Sequence, residues 1–175
     1  MAEKNYLVLT AVGPDRPGLV SEMSSLVHSA GANLEDSRMA ILGGEFALLM
    51  LVSGQAEAVA RVEQSAEELG NRLGLRVLTK PTSPQSARDF LPYQIRVTGV
   101  DRPGIVQRVA AVLAGRGVNV ASLESRLSYA PLSGTPMFIL EAALQIPSAL
   151  ALSDLRRELA SASEEENWDF TLEGG

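Results

Sequence analysis

Hydrophobic and polar residues are spaced along this chain with two periods, one typical of strands and one typical of helices. The two periods follow one another in the same order in each half of the chain. Residues 6 to 12 form a continuous apolar run, typical of a strand that is buried on both faces or nearly so. In the second half, Tyr93, Ile95 and Val97 alternate with polar neighbours, which predicts a strand with one face toward water. Each half is therefore expected to open with a β-strand.

An amphipathic helix is predicted after each of these strands. Apolar residues recur at three- and four-residue steps from Leu19 onward, and the same steps recur from Ile105. Pro17 and Pro103 are expected in the first helical turn, where the missing N–H of proline is tolerated.

Each helix should end at a glycine in the left-handed conformation, Gly31 in the first half and Gly117 in the second. Two strands joined as a hairpin should follow, with a longer loop in the second half, from Ala130 to Pro136. A second helix and a closing strand complete each half. The order βαββαβ, repeated, predicts an α+β fold of two ferredoxin-like sandwiches in tandem, each a four-stranded antiparallel sheet with two helices on one face.

The two halves also share a motif. Asp-Arg-Pro-Gly begins at Asp15 and again at Asp101, an offset of 101 − 15 = 86, and Asn33 and Asn119 follow at the same offset. Beyond them the best match slips by two residues, because Asp-Ser-Arg at 36–38 resembles Glu-Ser-Arg at 124–126. We expect two related domains at 1–80 and 92–175, separated by a linker at 81–91 that is rich in proline and small polar residues.

Charge and composition exclude several classes of protein. A net charge of -6 provides no positive field for duplex DNA or an anionic membrane surface, so we expect no direct nucleic-acid or membrane binding. The chain has no cysteine and one histidine, His28, which argues against thiolate chemistry, metal centres and a catalytic triad. We expect no cofactor, and with no signal-peptide pattern or long apolar run, a cytoplasmic location.

The repeated motif has the chemistry of an amino-acid site. Unpaired N–H groups at a helix start attract an anion, so the backbone at Gly18 and Leu19 is a candidate for a carboxylate. Asp15 is a candidate for the ammonium group, and the Asn33 amide can donate and accept. The candidate residues of the second copy are Asp101, Gly104, Ile105 and Asn119.

Simpler interpretations exist for the same residues. The motif is equally well a turn and helix start, with Asp15 capping free N–H groups. The commoner role of an asparagine after a helix-ending glycine is to tolerate left-handed backbone, which we favour slightly for Asn33. His28 lies off the apolar stripe and is expected to be solvated.

Asp-Arg-Pro-Gly between a strand and a helix, with Gly-x-Asn opening the next strand, resembles the ACT domain, a small-molecule-sensing module. In serine-binding ACT domains, the positions matching Asp15 and Asn33 contact the ligand, often across an interface between two domains. Two such domains in one chain, with the segments Asp36–Phe46 and Leu123–Arg126, are similar to the tandem-ACT repressors of glycine cleavage genes.

That resemblance implies a regulator rather than an enzyme. It would respond to a small amino acid, with glycine the first candidate, and act through a DNA-binding transcription activator because it has no DNA-binding domain of its own. A homo-oligomer is compatible with this function. The alternative is a sensing subunit that docks on an enzyme of amino-acid metabolism, and no single residue of the sequence separates the two.

Overall fold

The repeated order of elements predicted from the sequence is confirmed in the computed structural model, which describes residues 4–83, 89–131 and 133–175. The chain divides into two units, Met1–Ser86 and Ala87–Gly175. In the first unit the elements are β1 (Asn5–Pro14), α1 (Leu19–Ser29), β2 (Asn33–Leu42), β3 (Glu45–Gly54), α2 (Ala56–Leu73) and β4 (Arg76–Thr82). In the second they are β5 (Phe90–Val100), α3 (Ile105–Gly115), β6 (Asn119–Tyr129), β7 (Pro136–Pro147), α4 (Leu152–Glu166) and β8 (Trp168–Gly174).

Each unit has one antiparallel sheet with a single hydrophobic core between the sheet and its two helices. The strand order is β2-β3-β1-β4 in the first unit and β6-β7-β5-β8 in the second. Leu7 and Leu9 of β1 pack with Met23 of α1 and Val62 of α2, all fully buried. The second core is built in the same way around Ile95, Leu113, Leu155 and Leu159.

One face of β1 is buried, not both. Leu7, Leu9 and Ala11 are buried, whereas Tyr6, Val8 and Thr10 are half-buried and Val12 is 46% exposed. The prediction of a strand buried on two faces is therefore wrong, because residue type alone does not indicate which side the helices cover. The one-sided burial predicted for β5 is confirmed.

The second strands of the two units, β2 and β6, align at the offset of the preceding elements, so the two-residue shift predicted from the sequence is wrong. Both second strands have a β-bulge at the same place, between Leu34 and Asp36 and between Val120 and Ser122. Asp36 pairs with Leu51 and Ser122 with Ala143, so β2 and β6 keep the offset of 122 − 36 = 86, while β3 and β7 differ by 143 − 51 = 92. The difference, 92 − 86 = 6 residues, lies in the hairpin loop, which confirms the longer loop of the second half.

The helix ends follow the prediction. Gly31 and Gly117 have φ angles of 72° and 67°, in the left-handed region that glycine adopts without strain. The predicted linker at 81–91 falls partly on residues 84–88, outside the described residues. Strand β4 continues to Thr82 and β5 begins at Phe90, so both sheets take up residues from the ends of that range.

Candidate functional site

The loop between the first strand and the first helix has the same backbone conformation in both units. Gly18 and Gly104 immediately precede the helices with φ angles of 96° and 101°. Because this left-handed turn lies between proline and helix, Pro17 and Pro103 are outside the helices. Their predicted placement in the first helical turn is wrong.

Both helices begin without a side-chain cap. The Gly18 carbonyl accepts the N–H of Glu22 at 3.0 Å, and the Gly104 carbonyl accepts that of Arg108 at 2.9 Å. In the part of the chain that the structure describes, no side chain accepts from the first N–H groups of either helix. The capping role considered for Asp15 is therefore wrong. The helix starts keep their partial positive charge, which favours an anion.

The hairpin of each unit holds this loop in place through one backbone hydrogen bond. Asp15 N–H donates to the Gly44 carbonyl, and Asp101 N–H donates to the Pro136 carbonyl, both at 3.0 Å. The two acceptors correspond, since 136 − 44 = 92 is the offset found for the hairpin strands. Both aspartate side chains are exposed, so the loop is fixed by its backbone while its carboxylates face solvent.

In the first unit the loop lines a shallow groove of about 410 Å³. Asp15, Gly18 and Leu19 form one side, and Met39 and Ile41 of β2 are among the residues of the other. Leu19 is 1% exposed and its counterpart Ile105 is 6% exposed, so the side chains of both pack in the cores and do not line the loop surface. The groove thus combines a carboxylate, free helical N–H groups and an apolar side.

Asn33 and Asn119 lie at the opposite end of their units from these loops. Asn33 pairs with Ser53, which pairs with Tyr6 near the start of β1, whereas Asp15 follows the end of that strand. Eight residues of strand separate Tyr6 from Pro14, a span of about 27 Å. The structure brings Asp15, Gly18 and Leu19 together and does not bring Asn33 to them within the unit.

The end of the first unit that contains Asn33 has its own polar cluster. Glu35, the residue at the bulge, accepts hydrogen bonds of 2.5 Å from Lys4 and from the buried hydroxyl of Ser53. Hydrogen bonds from Lys4, then Ser53, then Asn33 lower the pKa of Glu35 to about 2. Sequence reasoning missed this cluster; its only signal was a serine directly after the apolar run of β3.

Neither asparagine has left-handed backbone, so the role favoured for Asn33 is wrong. Both are the first residues of extended strands, because the preceding glycine completes the turn. Asn119 donates from its side-chain amide to the Gln145 side chain at 2.7 Å, and Gln145 occupies the position of Ser53 (145 − 53 = 92). The two units therefore stabilise the same strand end with different polar pairs.

Two other features of the described residues bear on chemistry. His28 is exposed on α1, as predicted. Within 4–83, 89–131 and 133–175, no group of three or more His, Cys, Asp or Glu residues is arranged to hold a metal ion. Over the same residues, no helix has the length and apolar character needed to cross a membrane.

Comparison with known proteins gives matches over both units. Models of the ACT domain match residues 5–80 and 93–159. The chain is 37% identical over 128 residues to the glycine cleavage system transcriptional repressor of Escherichia coli K12, covering 72% of this chain and 67% of the repressor. It is also 35% identical over 75 residues to the UPF0237 protein MK1213 of Methanopyrus kandleri, covering 42% of this chain and 83% of that protein.

A solved structure matches the whole chain. It is the crystal structure of an unknown protein from Galdieria sulphuraria, which is 34% identical and superposes with a TM-score of 0.86 over 99% of both chains.

Proposed function

This chain belongs to the ACT domain family, with one ACT domain in each half, and we propose that it is a cytoplasmic, non-catalytic regulator that represses glycine cleavage genes in response to a small amino acid. The observation that carries the proposal is the 37% identity to the Escherichia coli repressor across both domains. Glycine is the first candidate for the ligand.

The charge of the chain supports action through another protein. A net charge of -6 opposes direct contact with DNA phosphates, so the sequence-specific contact is assigned to a DNA-binding transcription activator. The regulator would bind that activator and change its activity according to the ligand. Docking on a metabolic enzyme is the alternative, and the identity of the captured partner separates the two.

The ligand is assigned to the loops before α1 and α3. Free N–H groups at Gly18 and Leu19, or Gly104 and Ile105, would take the carboxylate, and the exposed carboxylate of Asp15 or Asp101 would take the ammonium group. Glycine has five heavy atoms, so at the ceiling of about -1.5 kcal/mol per atom its affinity is micromolar at best. Binding should therefore be measured at millimolar glycine.

Asn33 and Asn119 contact the same ligand only if a second ACT domain supplies them, since each lies about 27 Å from the loop of its own unit. Asp101→Asn removes the charge that would meet the ammonium group, whereas Asn119→Ala removes the amide at the other end. If both variants lose glycine binding, the ligand spans two domains. If only Asp101→Asn loses it, the loop binds alone.

The direct test is calorimetry and thermal melting of the whole chain with glycine, alanine and serine. A ligand that binds only the folded state raises the melting temperature as its concentration rises. Heat and a melting shift with at least one amino acid, reduced in Asp101→Asn, are expected. No heat and no shift with any of the three would contradict an amino-acid sensor.

The partner is tested separately, by capture from the organism's own lysate with and without glycine. A DNA-binding protein whose recovery changes with glycine supports the proposed repressor. Recovery of an amino-acid-metabolising enzyme, with no DNA-binding protein, contradicts it and favours the enzyme-docking subunit.

A further inference from the structure

The two sheets differ on the face that points away from the helices, here called the outward face. In the first unit this face is mostly apolar around a central Thr10, with Val8 and Leu51 half-buried and Val12, Leu49 and Leu78 exposed by 46%, 45% and 74%. A contiguous apolar patch on the surface commonly marks a site of protein interaction.

Most of the same positions of the second unit are polar, although Leu51 is matched by Ala143. The offsets of the paired strands match Val8 with Gln94, since 94 − 8 = 86, and Leu49 with Glu141, since 141 − 49 = 92. Arg96 and Arg126 both form ion pairs with Glu141 on that face. The fold alone therefore does not require an apolar outward face, and its presence in the first unit needs another explanation.

Charge is distributed unevenly across the apolar face. One row of paired residues crosses all four strands in the order Asp36, Leu51, Val8, Lys80, with the acid at one edge and the base at the other. Asp36 also pairs with Arg38, the next outward residue of β2, and both side chains stay exposed. Three strand spacings of about 4.8 Å place Asp36 and Lys80 roughly 14 Å apart, too far to form an ion pair with each other. If a second copy of this row is placed against the first in the opposite order, each charged end meets the opposite charge and the apolar residues meet one another.

We propose that the outward face of the first sheet is the contact surface of a homodimer, covered by the same face of a second copy of the chain. A two-fold axis parallel to the strands places Asp36 opposite Lys80 of the partner subunit and Leu51 opposite Val8 of the partner subunit. An axis perpendicular to the strands would bring Lys80 against Arg76 of the partner subunit, and like charges disfavour it. The charge pattern thus selects one packing, which is self-complementary.

The size of this face sets the strength of the dimer. Four strands at about 4.8 Å and six residues at about 3.3 Å give a face of roughly 400 Å² per copy. A standard interface buries about 800 Å² per partner, so the dimer should be weak and depend on concentration. Association is expected in the upper micromolar range rather than the nanomolar range.

The test is sedimentation velocity of the full chain from about 1 μM to about 1 mM. The wild type should shift from monomer to dimer across this range. Asp36→Lys and Lys80→Glu should each raise the dissociation constant by about tenfold, and the double variant should restore it, because the two charges meet only between copies. The matched control is Glu173→Lys, at the position of β8 that corresponds to Lys80 (173 − 80 = 93), and it should leave the dissociation constant unchanged.

A further variant tests the apolar centre. Leu49→Asp places a charge on an exposed position that is outside the core, and it should give a monomer with unchanged far-ultraviolet circular dichroism. A wild type that stays monomeric at about 1 mM would overturn the proposal. So would a dimer that resists Leu49→Asp in a folded variant, or single charge variants that the double variant does not rescue.

Discussion

The carboxylate of Glu35 accepts a 2.5 Å hydrogen bond from the hydroxyl of Ser53, which is completely buried. Glu35 is at the bulge of β2, where the extra residue lets its side chain reach across the strand end. The Lys4 ammonium donates to the same oxygen. A buried hydroxyl of the first ACT domain therefore has its partner in an ionised carboxylate, which makes the stability of this strand end depend on pH.

Glu35→Gln should remove a pH-dependent part of the free energy of unfolding. Hydrogen bonds from Lys4 and Ser53 lower the pKa of Glu35 in the folded protein from 4.5 to about 2. A carboxyl whose pKa is lowered by folding stabilises the protein above its unfolded pKa, and this stabilisation is lost as the pH falls toward the folded value. The difference between wild type and variant should be largest near about pH 6 and shrink between about pH 4.5 and about pH 2.

Urea unfolding at a series of pH values measures this difference. Glu63→Gln, on the exposed side of α2, is the control and should follow the wild-type pH dependence. A Glu35→Gln curve that runs parallel to the wild type down to about pH 3 would contradict a pH-dependent contribution from this carboxylate.

Gly99→Ala should destabilise the second domain by about 1 to 3 kcal/mol. An added Cβ would lie 2.8 Å from the Cβ and 3.2 Å from the Cα of Trp168, and the latter can move only with the backbone of β8. Gly115→Ala is the matched control, because its Cβ meets nothing within 4 Å and alanine is the better helix former. The denaturant midpoint should fall for Gly99→Ala and stay the same or rise for Gly115→Ala. Equal midpoints for the two variants would contradict the close contact between Gly99 and Trp168.

Gly104→Ala should cost about 1 to 2 kcal/mol of stability even though its Cβ has open space. The cause is the backbone, since a φ of 101° is one that residues with a side chain rarely adopt. Gly104→Asn should cost less, because asparagine enters positive φ more readily. Thermal melting of the two variants ranks them, and equal loss in both would show that the loop relaxes away from this conformation.

The isolated chain should not bind duplex DNA in a salt-dependent way. Its net charge of -6 repels phosphates, and within residues 4–83, 89–131 and 133–175 neither domain adds a recognition helix to the βαββαβ order. Fluorescence anisotropy with a glycine cleavage promoter fragment should show no submicromolar binding at low salt. Submicromolar binding that disappears as salt is raised, with no activator present, would contradict the prediction.

Sequence periodicity predicted the order of the elements because strands and helices turn one side toward the core with different residue spacings. A change of spacing along the chain therefore marks the change from one kind of element to the other. It did not predict what lies on the outward face of β1, where Val8 and Val12 look like core residues and are partly exposed. An apolar residue indicates a preference for burial. Which element of the fold covers that residue cannot be read from the neighbouring sequence.

The separation of Asp15 from Asn33 was available from the order of elements alone. A helix that follows a strand and packs on the sheet returns the chain to the start of that strand, and an 11-residue helix covers about 16 Å of the return. The predicted two-residue shift between the second strands of the two halves was wrong for another reason. The likeness of Asp36 to Glu124 reflects similar local composition, whereas backbone pairing matches Asp36 with Ser122.

The unequal hairpins of the two domains have an evolutionary consequence. The carbonyl that holds the loop before α1 or α3, from Gly44 or Pro136, belongs to the hairpin whose length differs by six residues. Added residues at a hairpin tip cost little chain entropy and touch no core position, so a duplicated gene tolerates such insertions while its fold is unchanged. Two originally equivalent loops can thus diverge separately through insertions and deletions in their hairpins, while the sheet and core of each domain stay the same.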